Sequence, residues 1–335
     1  MEIGISLSTE EMSARDLVRF GAMAEDQGFP FAIMSDHYHP WTTPHGQSPF
    51  AWSVLGALAQ ATDRIRVGTA VTCPIMRYHP ALVAQMSATV ADLFDGRFFL
   101  GLGAGENLNE HIYGEHWPQP AVRHEMLQEA ITIIRMLWTG DKVTYVGGYY
   151  TVDEAKLFSL PAQQPEIYVA ASGPQAAEIA GDNDGVIDTK PDKSVVDVFQ
   201  QSGGQGKPRY GELTICYNED ESRAKQIAKE WWPNSALPGN VNWEIKTPEH
   251  FDQLVQMVTE DAVAQTIVCG PNPEPVIQEI EKYAQAGFTH VFIHQVGPEK
   301  EKGLQFLARE ILPRYSQQPQ AAGVGTSDRQ LGGRS

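Results

Sequence analysis

The sequence has little cysteine and no excess of positive charge, and each scarcity excludes a class of protein. Its 335 residues include three cysteines, far apart and without a C-x-x-C pair, so we expect buried thiols in a reducing cytosol and not a disulfide framework. Lys and Arg number 25 against 42 Asp and Glu, a net charge of −17. Nucleic acid and anionic membranes need a basic surface, so neither is expected as a partner.

Long hydrophobic runs are also missing. No apolar stretch approaches the ~18 residues that a membrane helix needs. The first residues, MEIGISLSTEEM, contain neither the basic nor the apolar segment of a signal peptide. We therefore expect a cytoplasmic protein that acts on a small-molecule substrate.

Common phosphate, metal and hydrolase motifs are absent as well. The stretch GLGAGE at 101–106 has Glu106 where a dinucleotide fingerprint needs its third glycine, and no helical pattern starts there. The sequence contains no G-x-x-x-x-G-K-[ST], H-E-x-x-H or G-x-S-x-G. His37 and His39 are too little to predict a zinc site, so no metal is expected.

Short apolar runs alternate with helical patterns along most of the chain. The predicted strands cover residues 2–7, 31–34, 65–71, 98–101, 167–170, 185–187, 213–216 and 290–294. Eight strands separated by helices, without a shift in composition, predict one (β/α)₈ TIM barrel over residues 1–315, with a doubly wound pair of domains as the alternative. A hairpin near 143–152 and a loop at 232–249 are predicted insertions. Residues 316–335 are rich in Gly, Ser and Gln and are predicted to form a flexible tail.

The second strand ends in the stretch FAIMSDHYHPW, which contains an acid, an imidazole and an indole. Ligands of parallel α/β folds bind at the carboxyl ends of strands, so Asp36 and His37 are candidates for acid–base work. Trp41 is a candidate wall against a flat ligand. Alternatively, Asp36 caps the next helix and the histidines lie in a solvated loop.

Two further strand ends carry candidate binding groups. Gly101–Glu106 lets backbone approach a ligand closely and ends in a carboxylate, although Glu106 could equally cap a helix or lie at the surface. The turn Ala171–Pro174 precedes a helix and would suit a phosphate at the helix N-terminus; alternatively it is an ordinary strand-to-helix turn.

Together these stretches resemble the luciferase-like flavin and deazaflavin barrel superfamily, and within it the branch of F420-dependent glucose-6-phosphate dehydrogenase. The resemblance runs from the first strand to about residue 315. It is carried by Ser35-Asp36-His37, Pro40-Trp41, Gly68-Thr69-Ala70-Val71, Arg77-Tyr78-His79-Pro80, Gly101-x-Gly103-x-Gly105-Glu106-x-x-Asn109-Glu110, Leu137-Trp138-Thr139-Gly140 and Ala170-Ala171-Ser172-Gly173-Pro174. The combination is specific, whereas no single piece is.

The resemblance implies a homodimeric (β/α)₈ barrel that holds coenzyme F420 at the carboxyl ends of its strands. It implies that Asp36 hydrogen-bonds the deazaflavin and that the Ala70–Val71 peptide is a non-proline cis bond supporting the ring. The other implied cofactor residues are Gly105, Glu106 and Asn109 at the ring, and Ala171, Ser172 and Gly173 at the phosphodiester tail. Glu10 matches a family acidic residue and is expected to face the pocket.

The implied chemistry is hydride transfer between an alcohol or hemiacetal carbon and C5 of the deazaflavin. His37 is the expected base for the hydroxyl proton. Glu106 is expected to protonate N1 of the reduced ring or to stabilise charge there. Trp41 is expected to pack beside the reacting centre, where it contacts substrate and excludes water.

The sequence departs from the sugar-phosphate members in the cations that bind phosphate. Those members bind the phosphate with basic residues at three positions of the second half. The first position matches Lys190 or Lys193, with a one-residue ambiguity. The second falls on Ala264, and the third falls near Glu301-Lys302. One or two lysines beside acids match a dianion poorly, so we expect a substrate other than glucose 6-phosphate, with other sugar phosphates still open. The tryptophans of the inserted loop suit a neutral or apolar alcohol or, alternatively, pack among themselves.

Three functions remain at this point. The favoured one is an F420-dependent dehydrogenase or reductase acting on a CH–OH group. The second is an FMN-dependent monooxygenase of the same superfamily. The third is a non-catalytic F420-binding protein, against which the presence of both His37 and Glu106 argues.

Overall fold

The computed structural model describes residues 1–315, and all structural statements below refer to these residues. The prediction of a flexible tail at 316–335 lies outside them. No helix within residues 1–315 is long and apolar enough to cross a membrane.

Eleven strands form the two sheets of the described chain. They are β1 Glu2–Leu7, β2 Phe31–Met34, β3 Arg66–Thr69, β4 Phe98–Leu102, β5 Val143–Val146, β6 Thr151–Ala155, β7 Glu166–Ala170, β8 Gly185–Asp188, β9 Arg209–Cys216, β10 Val268–Cys269 and β11 His290–Gln295. The main sheet has the order β10-β9-β11-β1-β2-β3-β4-β7-β8, all its pairs are parallel, and β8 also pairs with β9. Eight strands therefore close into a barrel, which confirms the (β/α)₈ prediction and excludes the doubly wound alternative.

Helices follow most barrel strands and cover the outside. They are α1 Ala14–Asp26, α2 Ala51–Ala61, α3 Pro80–Phe94, α4 Asn107–Glu110, α5 Pro120–Leu137, α6 Pro174–Gly181, α7 Lys193–Phe199, α8 Glu221–Trp231, α9 Val241–Glu244, α10 Pro248–Leu254, α11 Glu260–Ala264, α12 Pro273–Ala286, α13 Lys300–Phe306 and α14 Leu312–Tyr315. Helix α1 shows why they form where they do: Ser13 caps its amino end, and Leu17, Phe20 and Ala24 bury one face at helical spacing.

The barrel separates two apolar layers. Phe31, Ile33, Phe99, Tyr168, Ile187, Tyr210 and Phe292 fill its interior. Side chains that alternate with these, such as Ile3, Ile5 and Leu7, point outward and pack under the helices. The packed interior is the floor beneath the carboxyl ends of the strands, where polar residues begin.

Several predictions of local structure differ from the structure. The short helix α4 starts at Asn107, directly after Glu106, where the sequence showed no helical pattern. Strand β3 ends at Thr69 and not at Val71, because the chain leaves the ladder there and pairs again only at an isolated bridge between Thr72 and Leu102. Strand β9 begins at Arg209, four residues earlier than predicted. The sequence did not reveal this start, because the first inward positions are Tyr210 and Glu212 and do not form an apolar run. The inserted loop contains α9 and the start of α10.

Candidate active site

The carboxyl end of β2 is fixed by a fully buried Asp36. Its Oδ2 accepts hydrogen bonds from Thr72 Oγ1 at 2.7 Å and Trp52 Nε1 at 3.2 Å, and its Oδ1 accepts from Arg77 Nη2 at 3.1 Å and Tyr78 OH at 3.2 Å. These four donors use the acceptor capacity of the carboxylate. Asp36 therefore anchors this loop to the segment after β3, and its predicted contact with a cofactor requires one donor to be displaced.

His37 follows Asp36 and is held by three polar groups. Its Nδ1 lies 3.1 Å from the carbonyl oxygen of His39 and 3.2 Å from Nδ2 of Asn109, while its Nε2 lies 3.4 Å from Oε1 of Glu10. The carbonyl requires Nδ1–H, whereas the amide donor requires a lone pair on Nδ1, so the ring has a partner in either protonation state. The Nε2 contact is long for a hydrogen bond, which leaves that nitrogen available to a substrate oxygen.

Glu10, from the loop after β1, is buried beside this imidazole. Ser35 Oγ donates to its Oε2 at 2.6 Å, and Ser8 Oγ donates to the same atom at 3.0 Å. Burial alone would raise the pKa of Glu10, but the charge of His37 and the hydrogen bond from Ser35 outweigh it and bring the pKa to about 2. Glu10 is consequently ionised at neutral pH and stabilises a protonated His37.

Asn109 joins the loop after β2 to the loop after β4. Its Oδ1 accepts from the backbone N–H groups of Tyr38 at 2.8 Å and His39 at 3.1 Å, which fixes the orientation of the amide. The opposite Nδ2 consequently faces His37 and donates to Oε2 of Glu106 at 3.3 Å. Glu106, half-buried at the start of α4, thus lies beside the same amide group as His37. The structure brings the predicted acid and base together.

The segments after β3 and β4 approach each other very closely. The Ala70–Val71 peptide is cis, as the resemblance implied. A Cβ on Gly103 would lie 2.5 Å from Cγ2 of Val71, so only glycine fits there. Gly105 has a φ of +73°, and a Cβ on it would lie 2.4 Å from Sγ of Cys73. These contacts explain the repeated glycines and place Gly105 immediately before Glu106.

Trp41 forms a side of the site. Its ring lies 5.1 Å from that of His37 and meets Phe251 of α10 edge to face at 5.5 Å. Asn107 Nδ2 donates to the carbonyl oxygen of Glu244 at 3.0 Å, which joins α4 to the inserted segment. The insertion thus packs against the β2 and β4 loops at the mouth of the barrel.

The predicted tail-binding residues lie at the carboxyl end of β7. Ala171 is buried and its N–H donates to Ile187 of β8 at 2.9 Å, whereas Ser172 is exposed. Gly173 precedes α6, whose first turn contains no acidic residue. A Cβ on Gly173 would meet nothing within 4 Å, so there is open space at this helix N-terminus.

The two lysines expected to bind substrate follow β8, and within residues 1–315 neither pairs with a residue of the acid–base group. Lys190 is exposed after β8, and Lys193 opens α7 with 67% of its side chain exposed. Lys193 pairs with Asp197 one helical turn on, at 2.5 Å. Ala264 ends α11 and offers no cation. Their roles stay predictions, and no cluster of cations is assembled by these positions.

Sequence reasoning missed a second set of charged groups at the same end of the barrel. His294 of β11 lies between two carboxylates, with Nε2 2.9 Å from Oε2 of Glu11 and Nδ1 3.6 Å from Oε1 of Glu212 on β9. Lys300 Nζ lies 2.6 Å from the same Oε2 of Glu11. These residues are up to 289 positions apart, and only the inward alternation of β9 and β11 could have suggested two of them.

A buried pair of charged side chains, Arg77 and Glu110, lies beneath the β4 loop. The sequence did not predict that these two residues contact each other. Oε2 of Glu110 accepts from the backbone N–H of Arg77 at 2.7 Å, and Oε1 lies 3.5 Å from Arg77 Nε. Burial raises the pKa of Glu110 to about 7, although Arg77 opposes the shift. Because Arg77 also binds Asp36, it connects the β2 and β4 loops from below.

The arrangement is suited to proton transfer to and from a ligand at the barrel mouth. One region is surrounded by three groups that can exchange protons: the ionised Glu10, the imidazole of His37 and the carboxyl group of Glu106. Within residues 1–315, no group of three or more His, Cys, Asp and Glu side chains is arranged to hold a metal ion.

Comparisons with known proteins agree with this architecture. The model of the family described as luciferase-like monooxygenase matches residues 1–290. The F420-dependent glucose-6-phosphate dehydrogenase of Microbacterium testaceum is 34% identical over 327 residues, covering 94% of this chain and 97% of that protein. The corresponding protein of Amycolatopsis mediterranei is 33% identical over 328 residues, covering 94% and 98%.

A solved structure gives a second comparison. An F420-dependent secondary alcohol dehydrogenase in complex with an F420–acetone adduct superposes with a TM-score of 0.85 at 30% identity, covering 92% of this chain and 98% of that one. The F420-dependent tetrahydromethanopterin reductase of Methanopyrus kandleri, at 22% identity and a TM-score of 0.76 over 94% and 99%, shares the fold.

Proposed function

Because the chain belongs to the luciferase-like monooxygenase family, we propose that it is an F420-dependent oxidoreductase that transfers a hydride between an alcohol or hemiacetal carbon and C5 of the deazaflavin. The observation that carries the proposal is the group Glu10–His37–Asn109–Glu106 at one end of the barrel. Relatives that use F420 on an alcohol or a sugar phosphate support it.

The strand ends fit a flat ring with a phosphodiester tail. Gly105 has no side chain to obstruct a ring, and Asn109 and Glu106 are polar groups at its expected edge. The open space at Gly173 and the exposed hydroxyl of Ser172 suit a phosphate at the start of α6. We assign the ring to the Ala70–Val71 bulge, Gly105 and Asn109, and the tail to Ala171, Ser172 and Gly173.

When bound, F420 supplies a carbon that takes up or returns a hydride. In the oxidation direction His37 accepts the hydroxyl proton of the substrate at Nε2, and the ionised Glu10 stabilises the resulting imidazolium. Asn109 holds His37 and Glu106 at a fixed spacing. Glu106 holds or delivers the proton needed on the coenzyme side, and Trp41 excludes water from the imidazole.

The preferred substrate is an alcohol without a phosphate group. Lys193 is exposed and paired with Asp197, and Ala264 leaves the second basic position empty of charge. Glu10 places an ionised carboxylate beside His37. A dianion near these acids is unfavourable, because like charges repel strongly where water is excluded. The relative that carries an F420–acetone adduct supports a secondary alcohol.

The cofactor is tested by fluorescence titration of the purified protein with F420 and, separately, with FMN. We expect saturable binding of F420 and none of FMN. Binding of FMN alone would overturn the proposal and favour the monooxygenase alternative.

Turnover is tested by the loss of F420 absorbance with 2-propanol and with glucose 6-phosphate. We expect 2-propanol to be oxidised faster, and His37→Gln to lower kcat by about 10²–10⁴-fold without weakening F420 binding. His116→Gln is the matched control, since that histidine is exposed. F420 binding without turnover of any alcohol would favour the non-catalytic alternative.

We further propose that the protein is a homodimer in the cytoplasm. The expectation of a dimer rests on the resemblance, and the expectation of a cytoplasmic location rests on three free cysteines. Light scattering after size-exclusion chromatography tests the first, and fractionation of the source cells tests the second. A monomeric mass or a membrane or extracellular fraction would contradict them.

A further inference from the structure

The alternation of side chains along β9 and β11 aims Glu212 and His294 into the mouth of the barrel. Tyr210 and Phe292 belong to the cluster that fills the interior. Residues two positions further along a strand face the same side, one layer closer to its carboxyl end. Glu212 and His294 therefore lie directly above the packed floor, on the side of the barrel where the ring of His37 is also found.

Glu212 is a carboxylate with an incomplete set of partners. Its carboxylate faces Nδ1 of His294 at 3.6 Å, which is longer than a hydrogen bond. Within residues 1–315 the hydroxyl of Tyr283 donates to the backbone carbonyl of Glu212, and no group donates a hydrogen bond to its side chain. A quarter of the side chain is exposed. Burial raises the pKa of Glu212, while the charges of His294 and His37 oppose the shift. The unmade contact of Glu212 is therefore open to a hydrogen-bond donor.

His294 cannot move to complete this contact. Its Nε2 is bonded to the fully buried carboxylate of Glu11, which also binds Lys300 and the backbone N–H of Gly297 at 2.9 Å. The ring of Trp232 packs against it edge to face at 4.5 Å. The imidazole is thus fixed at its Nε2 by Glu11 and on one face by Trp232, so it does not approach Glu212 more closely.

We propose that Glu212 accepts a hydrogen bond from a substrate hydroxyl group other than the one on the reacting carbon. The preferred substrate is then an uncharged alcohol that carries at least one further hydroxyl group. This inference rests on the proposed function and specifies its substrate class. Because Glu212 and the ionised Glu10 face one region, the same pair disfavours a phosphate or carboxylate on the substrate.

The test uses three probes that share a secondary carbinol: 2-propanol, glycerol and glycerol 3-phosphate. Their dissociation constants are measured by saturation-transfer NMR on the protein alone and on protein saturated with reduced F420, which cannot accept a hydride from an alcohol. The quantity of interest is the preference for glycerol over 2-propanol. It is compared between the wild type, Glu212→Ala, Glu212→Gln and the control Glu166→Ala, whose carboxylate lies at the start of β7, the opposite end of the barrel.

We expect the wild type to bind glycerol more tightly than 2-propanol. In Glu212→Ala the ratio of the two dissociation constants should fall about tenfold or more, as removal of a charge-assisted hydrogen bond predicts. Glu212→Gln should lose less, and it replaces the alanine variant if that one does not fold. Glu166→Ala should leave the preference unchanged. An equal preference in wild type and both Glu212 variants, or binding of glycerol 3-phosphate as tight as that of glycerol, would overturn the inference. Failure of F420 to bind appears separately in its own titration and leaves the measurements on the protein alone valid.

Discussion

The buried Glu10 gives a quantitative prediction about pH and stability. Its pKa is lowered from 4.5 to about 2 in the folded protein, mainly because His37 and Ser35 outweigh its burial. A carboxyl with a lowered pKa stabilises the fold above its unfolded pKa, and this stabilisation is lost as the pH falls towards the folded value. At neutral pH the lowered pKa of Glu10 contributes about 3 kcal/mol to the free energy of unfolding, because each pKa unit is worth about 1.36 kcal/mol.

The substitution Glu10→Gln removes this dependence while keeping the shape of the side chain. We expect the wild type to exceed the variant in free energy of unfolding by about 3 kcal/mol at pH 7 and by about 2 kcal/mol at pH 3.5. Urea denaturation followed by circular dichroism at both pH values measures the difference, in which the titrating groups that do not interact with Glu10 cancel.

The control for this experiment is Glu178→Gln, an exposed carboxyl on α6. It should change the free energy of unfolding by less than about 0.5 kcal/mol at either pH. A wild-type advantage that is independent of pH, or one that grows as the pH falls, would refute the assignment of a low pKa to Glu10.

Three further predictions follow from the loop contacts. Asp36→Ala leaves Arg77 with one buried partner fewer, so urea denaturation should show a loss of about 3–5 kcal/mol; a loss below 1 kcal/mol would contradict the anchoring role. Gly105→Ala places a side chain on a residue with positive φ and against Cys73, so thermal unfolding should show a loss of about 1–3 kcal/mol in the free energy of unfolding. An unchanged melting temperature would argue against this geometry. Asn109→Ala should lower kcat more than tenfold in the F420 assay, since His37 and Glu106 lose their common partner, and unchanged kcat would mean that they act independently.

The first half of the barrel could be predicted from the sequence because its signals are local. The apolar run Phe31–Met34 ends abruptly in a polar stretch, and this alone places Asp36 and His37 at a strand end. The glycines at 101–105 likewise mark a place where backbones approach each other. The strand-end pattern made Asp36 and His37 candidates for acid–base work, and their separate roles came from the resemblance.

The site residues of the second half could not be predicted, because they depend on contacts between residues far apart in the sequence. Glu212 lies in a part of β9 whose inward positions are an aromatic and an acid, which no hydrophobic alternation reveals. His294 meets Glu11 across a sequence separation of 283 residues. The prediction that Lys190 and Lys193 contact substrate relied on matching them to a basic position of the sugar-phosphate members, and such a match does not report that Lys193 pairs with Asp197.

The amide of Asn109 has a consequence for attempts to recombine this barrel with others. Because one side chain contacts the backbone of residues 38 and 39, the ring of His37 and the carboxylate of Glu106, two loops that are far apart in sequence form one mechanical unit. A chimera that exchanges residues 35–41 without residues 103–110 separates a base from the group that orients it. Residues 35–41 and 103–110 should therefore be exchanged together, as a single module.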